Sequence, residues 1–190
     1  MMAQAATLAG LNVVQLVHEN TAAATMFGID RTDEVPLTVL IYNMGGKDTE
    51  VTLARYSTAK DEKTNKTHEY IDIMGEGYDA HLGGLDFDQV IVEILADRFN
   101  ALPERAGKPD VRTNVRALKR LQKEASKVKD VLSANKVVSV KIPELLDYVT
   151  LKFELQRSEF EERAASIFNR VDQPIHMALA NANVAIEEID

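Results

Sequence analysis

The sequence predicts an α/β fold, with strands and helices in mixed order, and three features predict it. An apolar run at residues 37–42, the pair Gly45-Gly46, and a second run with Val51 and Leu53 on one face read as a strand, a tight turn and a strand. Two long stretches, around 85–99 and 113–134, carry apolar residues at helical spacing. Two further apolar runs, 137–142 and 148–153, are separated by only a few residues and read as an antiparallel pair.

The 190 residues are enough for one large domain or two small ones. Apolar residues at 45% and charged residues at 27% are ordinary for a globular chain. A net charge of −8 argues against a broad nucleic-acid surface. The chain has no cysteine, which excludes a disulfide framework and a thiolate metal site. His18, His68, His81 and His176 lack metal-ligand spacing, so no direct metal ligand is expected. No apolar run is long enough to span a bilayer, and no membrane partner is expected.

Residues 1–9 are alanine-rich and predict a helix closed by Gly10. Val13, Val14, Leu16 and Val17 predict a buried strand. Asn20 or Thr21 then caps a helix over 22–28, with Glu19 at the strand-to-helix junction. Residues 30–36 read as a polar connector. The first hairpin follows, and its Gly45-Gly46-Lys47-Asp48 turn has two readings. It is a plain hairpin turn, or a concave nest of backbone N–H groups that cradles phosphate.

Residues 57–65 read as a charged loop that includes the glycosylation triplet Asn65-Lys66-Thr67. A third strand at 68–74, with Ile71 and Ile73 on one face, completes a meander. Four glycines at 75, 77, 83 and 84 precede a helix whose apolar side carries Val90, Ile91, Ile94, Leu95 and Phe99. Gly83-Gly84 at that helix start suits an anion, and equally suits a strand-to-helix crossover. Prolines break the chain at 103–109, and Asp110 or Thr113 caps the long helix. Its basic residues, among them Lys129, read as a solvated face or as a source of one phosphate- or ribose-binding lysine. Residues 143–147 are the expected connection of the second strand pair. Ser158 with Glu161 forms a capping box for the next helix, and a last helix runs from Ile175 to about 183. The chain opens inside a helix and stops soon after Ile186, as expected of a piece of a longer protein.

Four segments appear in an order and spacing that resemble the nucleotide-binding domain of the DnaK-type heat-shock chaperone superfamily. They are Leu8-Ala9-Gly10-Leu11-Asn12-Val13, Glu19-Asn20-Thr21-Ala22-Ala23-Ala24, Tyr42-Asn43-Met44-Gly45-Gly46, and Leu82-Gly83-Gly84-Leu85-Asp86-Phe87-Asp88. Arg157-Ser158-Glu159-Phe160-Glu161 is similar to the family's Arg-x-x-Phe-Glu. Val131-Leu132-Ser133-Ala134-Asn135, Leu82-Gly83-Gly84-Leu85 and the polar insertion after the second strand resemble the large endoplasmic-reticulum branch.

The resemblance implies an actin-like ATPase fold, present in part: the end of the first lobe plus most of the second. Residues 1–33 would end the first lobe. Residues 34–79 and 157–190 would form the inner subdomain of the second lobe, and 80–156 its outer subdomain. Glu19 matches the cleft glutamate near magnesium and its waters. Gly45 and Gly46 match the second phosphate hairpin, and Gly83, Gly84, Lys129 and Ser133 match the ribose and adenine side. Asn43 stands where the ATPases carry an aspartate that positions the hydrolytic water. The amide keeps hydrogen bonding but not charge or basicity. Lys47 and Asp48 replace a glycine and a threonine, and Ser126 and Asp130 replace a glutamate and an arginine. The implied cofactor is ATP or ADP with magnesium in the intact domain, with none held tightly by this piece, which is expected to be inactive alone. The implied partners are unfolded polypeptides and a smaller DnaK-type chaperone whose nucleotide exchange it promotes, in the endoplasmic reticulum lumen.

Overall fold

The computed structural model describes residues 1–29, 36–61 and 65–190. The helices, in chain order, are α1 (Met2–Leu8), α2 (Glu19–Gly28), α3 (Gly84–Asn100), α4 (Val115–Ala134), α5 (Arg157–Arg163), α6 (Ala165–Phe168) and α7 (Gln173–Ala182). The strands are β1 (Leu37–Met44), β2 (Thr49–Lys60), β3 (Thr67–Asp79), β4 (Val137–Leu146) and β5 (Val149–Gln156). These elements form two compact units. The first comprises Met1–Asn43, Thr49–Asp79 and Gln173–Asp190, and the second Met44–Asp48 and Ala80–Asp172.

In the first unit, α1 buries none of its residues and ends before Gly10, whose φ of +80° is the left-handed conformation that glycine adopts cheaply. The strand expected at 13–17 is absent. Residues 11–18 form no regular structure, and Val14 is 92% exposed. An apolar run becomes a strand only where a neighbouring strand takes its N–H and C=O groups, and this segment has none among the described residues. Helix α2 begins one residue before the expected caps, after extended His18 and without a side-chain cap. Asn20 is instead buried and donates from Nδ2 to Thr52 Oγ1 at 3.2 Å. The Tyr56 hydroxyl donates to the Ala24 carbonyl at 2.8 Å, so α2 lies on β2. A Cβ on Gly28 would fall 2.7 Å from the Tyr56 ring, which explains the small residue there.

The sheet order β1-β2-β3 is the expected meander. The expected loop is shorter than read, because residues 57–60 are strand and pair with 67–70. Polar side chains did not prevent this, since the ladder is made by the backbone. The remainder of that loop at 62–64, and the connector at 30–35, lie outside the described residues. β3 also runs five residues past 74, after a bulge beside Leu53 and Ala54. Gly75 and Gly77 are therefore strand residues. A Cβ on Gly77 would fall 1.9 Å from the Pro174 carbonyl oxygen, and one on Gly75 2.4 Å from that of Ala178. The two glycines let α7 lie directly on the sheet. At the end of the chain, Asp190 N–H donates to Thr38 O at 3.0 Å and its carboxylate accepts from Thr38 N–H at 2.8 Å.

The second unit holds the larger core. Ile91, Leu95 and Phe99 of α3, Leu121, Val128 and Leu132 of α4, and Val140, Leu151 and Leu155 of the β4–β5 pair close around it with Phe160. Helical periodicity had marked the α3 and α4 residues. The α4 cap is Asn114, whose Oδ1 accepts from Ala117 N–H at 3.0 Å. Asp110 instead caps a short 3₁₀ turn at Val111–Thr113, accepting from Arg112 N–H at 2.8 Å. The turn of the second hairpin lies at Asp147-Tyr148, with φ of +52° and +60°, and not across 143–147. Both positive values match the primed turn that suits strand twist. Ser158 forms no cap, because α5 already starts at Arg157.

Arg105 is the buried charge of this unit, with its side chain 1% exposed. Its guanidinium donates to Asp147 Oδ2 and to the Pro109 carbonyl and sits 5.1 Å from the Phe99 ring centre. On α3, Asp97 accepts from Arg112 and from Arg163, the latter at 2.8 Å.

Candidate functional site

The candidate residues fall in both units. In the first unit, Glu19 opens α2 and Asn43 lies near the end of β1. Asn43 Nδ2 donates to Glu19 Oε2 at 3.3 Å, a solvent-facing contact. The amide thus keeps a hydrogen bond to the carboxylate. A second carboxylate there would face the first across a few ångströms, and each would disfavour ionisation of the other.

In the second unit, the two glycine pairs meet. Gly84 N–H donates to Gly45 O at 3.0 Å, and Leu85 N–H to Gly46 O at 2.8 Å. These are the first amides of α3, which a helix leaves without internal partners. The hairpin tip satisfies them with its own carbonyls. Gly83 completes the start, donating to Asp86 Oδ2 at 2.9 Å while its carbonyl accepts from Asp86 N–H at 3.1 Å. A Cβ on Gly83 would fall 2.5 Å from Lys47 N, so the hairpin rests on bare backbone. Gly45 N–H closes the tip turn on Asp48 O at 2.9 Å, and the Asp48 carboxylate folds back over Gly45. The N–H groups of Gly46 and Lys47 donate to no acceptor among the described residues.

Lys129 reaches the same place from α4. Its Nζ donates to Gly84 O at 2.9 Å and lies 2.7 Å from Asp88 Oδ1. Ser133 lies one turn further along α4, and its hydroxyl donates to Asp130 O at 2.6 Å. Both residues line an open cavity of about 310 Å³. Phe87, Phe160 and Phe168 supply its apolar wall, with Phe87 and Phe168 ring centres 5.1 Å apart. Arg157 stands at the rim, its Nε donating to Asn135 O at 3.2 Å. An aromatic wall with cationic and hydroxyl groups at its edge suits a planar heterocycle carrying polar substituents.

Sequence reading had placed Lys129 and Ser133 at the site but had missed this wall. Phe87 and Phe160 stand inside two of the motifs quoted above, and that was the available signal. Helical spacing reads Phe160 as part of a core face with Ala164, Ile167 and Phe168, and Phe87 lies outside the apolar stripe read for its own helix, from Val90 to Phe99. Phe168 is 41% exposed.

The comparisons with known proteins agree with the ordered motifs. Residues 1–190 match the family model described as Hsp70 protein. Hypoxia up-regulated protein 1 of Xenopus laevis is 41% identical over 190 residues, covering 98% of this chain and 29% of that protein. The proteins of the same name from Danio rerio and Homo sapiens are 38% and 37% identical, each covered over 19% of its length. The chain therefore spans between 19% and 29% of the length of these curated relatives. A match along its whole length, with the glycine pairs and the α4 lysine assembled in one place, makes this chain a member of the Hsp70 family.

Proposed function

We propose that this chain supplies part of the ATP/ADP site of a large Hsp70-type chaperone, a site that binds nucleotide and hydrolyses it poorly. One observation carries the reading. Two glycine pairs far apart in sequence dock at 2.8 Å and 3.0 Å, beside a cavity lined by Lys129 and Ser133. Membership of the Hsp70 family, which implies an actin-like ATPase fold, supports it. In this reading the lobes and subdomains are divided as the resemblance implies. The Phe87, Phe160 and Phe168 wall with Arg157 and Ser133 would take the adenosine. The Gly46 and Lys47 amides would face phosphate, and Glu19 would hold waters of a magnesium ion. The donor set fits the adenosine end well. At the phosphate end, the Asp48 carboxylate opposes an anion and Asn43 offers no base, which supports slow turnover.

The whole protein, in this proposal, assists the folding of unfolded polypeptides and promotes nucleotide exchange on a smaller DnaK-type chaperone in the endoplasmic reticulum lumen. Its relatives' shared name, hypoxia up-regulated protein 1, supports a stress-linked role.

A second reading is an interaction scaffold without nucleotide. The commitment of Lys129 to Gly84 O and Asp88, and of the α3 amides to the hairpin, favours it. Calorimetry of ATP and ADP with magnesium, on this chain and on the full-length protein, separates the two. Binding in the full-length protein alone, with little phosphate release, is expected. Binding in neither leaves the scaffold, and rapid phosphate release in the full-length protein overturns the weak-hydrolysis reading.

A further inference from the structure

The glycosylation triplet is not absorbed by the proposed function. Of all the asparagines in the sequence, only Asn65 has a serine or threonine two positions on. The structure places Asn65-Lys66-Thr67 where the β2–β3 ladder ends, with Thr67 paired to Lys60 as the last rung. All three residues are exposed. Asn65 has φ +57° and is fixed by backbone alone, its N–H donating to Asp61 O at 2.8 Å while Asp61 N–H donates to Lys66 O at 2.8 Å. Asparagine tolerates this left-handed turn better than most residues. Its side-chain amide and the Thr67 hydroxyl have no hydrogen-bond partner among the described residues. The acceptor nitrogen is therefore presented beside the last rung of the ladder, with no contact among the described residues that must first break.

We infer that Asn65 is an acceptor for an asparagine-linked oligosaccharide, an inference that rests on the lumenal placement proposed above. The co-reactant is an oligosaccharide carried on a lipid diphosphate. Asn65 Nδ2 forms a bond to the anomeric carbon of the sugar, and the bond from that carbon to the diphosphate oxygen breaks. The lipid diphosphate leaves with the bonding electron pair, and one amide proton passes to the transferase. Asn65 and Lys66 lead directly into the edge strand β3, where Tyr70, Ile71 and Ile73 are 48%, 36% and 39% exposed. A bulky hydrophilic chain at this end of the edge strand hinders another strand from pairing with it.

The test uses the full-length protein expressed in a eukaryotic cell. Its location is read by protease added to intact vesicles, and its modification by an amide-cleaving glycosidase that leaves aspartate at the acceptor. Protection from protease is expected, with a drop in mass on glycosidase treatment and aspartate at position 65 in the peptide. Asn65→Gln and Thr67→Ala should abolish that conversion, and Thr67→Ser should keep it. A protected chain that still reads asparagine at 65 overturns the assignment. Digestion in intact vesicles overturns the lumenal placement instead. The same protein led into the lumen by an appended leader then decides the acceptor separately: conversion at 65 upholds it, and its absence overturns it. The peptide readout is made on the unmutated protein, so it does not depend on any variant folding.

Discussion

Lys129 holds two elements together with one ammonium group, and this role is separable from any contact with nucleotide. Replacing it with methionine keeps the stem but removes the bonds to Gly84 O and Asp88, leaving a half-buried carboxylate with less compensation. Lys129→Met should cost roughly 1–2 kcal/mol. A lower urea midpoint at unchanged slope would show this, and an unchanged midpoint would mean that the contact is only a surface pairing. At this scale the sequence was legible at Gly10, read as the glycine that closes the first helix and found at φ +80°, whereas the contact between Asn43 and Glu19 was not read from it. The caps were not, because several residues near each helix start can bond an orphan amide and tertiary packing chooses among them. Asn20 was drawn inward to Thr52, while Asn114, not singled out in the sequence, became the α4 cap.

Two elements depend on conditions that residue counting does not show. Helix α7 rests on β3 through Gly77 and Gly75, and a methyl group at 77 would collide with the Pro174 backbone. Gly77→Ala should therefore destabilise the first unit by roughly 3 kcal/mol, read as a lower thermal midpoint. Wild-type stability would mean that α7 shifts easily. The start of α3–α4 packing carries a pH dependence instead. Burial raises the Asp97 pKa, but hydrogen bonds from Arg112 and Arg163 outweigh it and hold the carboxyl below its ordinary 3.8. Asp110 is also held below 3.8, chiefly by the Arg112 backbone N–H. Arg112 itself is raised, since the bonds to Asp97 and Asp110 exceed its loss of solvation. Lowered carboxyl pKa values mean that the folded state binds these protons less readily than the unfolded one. Their stabilisation is present above about pH 4 and is lost as the pH falls through the folded values. Asp97→Asn should flatten the acid limb of a stability–pH curve, and an identical limb would exclude Asp97 as a contributor. The long helices were legible from their period. The strand expected at 13–17 failed because burial needs a partner, and strand 57–60 was hidden because backbone pairing does not require apolar side chains.

The molecule as a whole is unevenly consolidated. The second unit closes one large cluster around α3, α4 and the β4–β5 pair, whereas Ala24, Ala54 and Tyr56 form a small cluster in the first. The first unit also exposes Leu11, Val14, Leu16, Met26 and Phe27. Amide exchange should accordingly be slowest in α3 and α4 and fastest in 11–18 and the outer half of β3. Uniform protection across both units would refute this division. The mixed α/β class was legible, since the strand pairs and long helices each carry local signals. The division into units was less so, because the short segment Met44–Asp48 joins the second unit by docking on α3, a contact set by backbone rather than by pattern.

Arg105 has a consequence for degradation. A trypsin-like protease must draw the arginine guanidinium into its own pocket before cutting the bond that follows. Here that group is clasped by Asp147, the Pro109 carbonyl and the Phe99 ring. The bond between Arg105 and Ala106 is thus masked in the folded chain despite lying in a proline-broken connection of the kind that usually invites nicking. Exposed basic residues such as Lys60 and Lys66 offer no such protection. Cleavage after Arg105 therefore serves as a clock for opening of the second unit, and fragments ending there would date the moment at which its core comes apart.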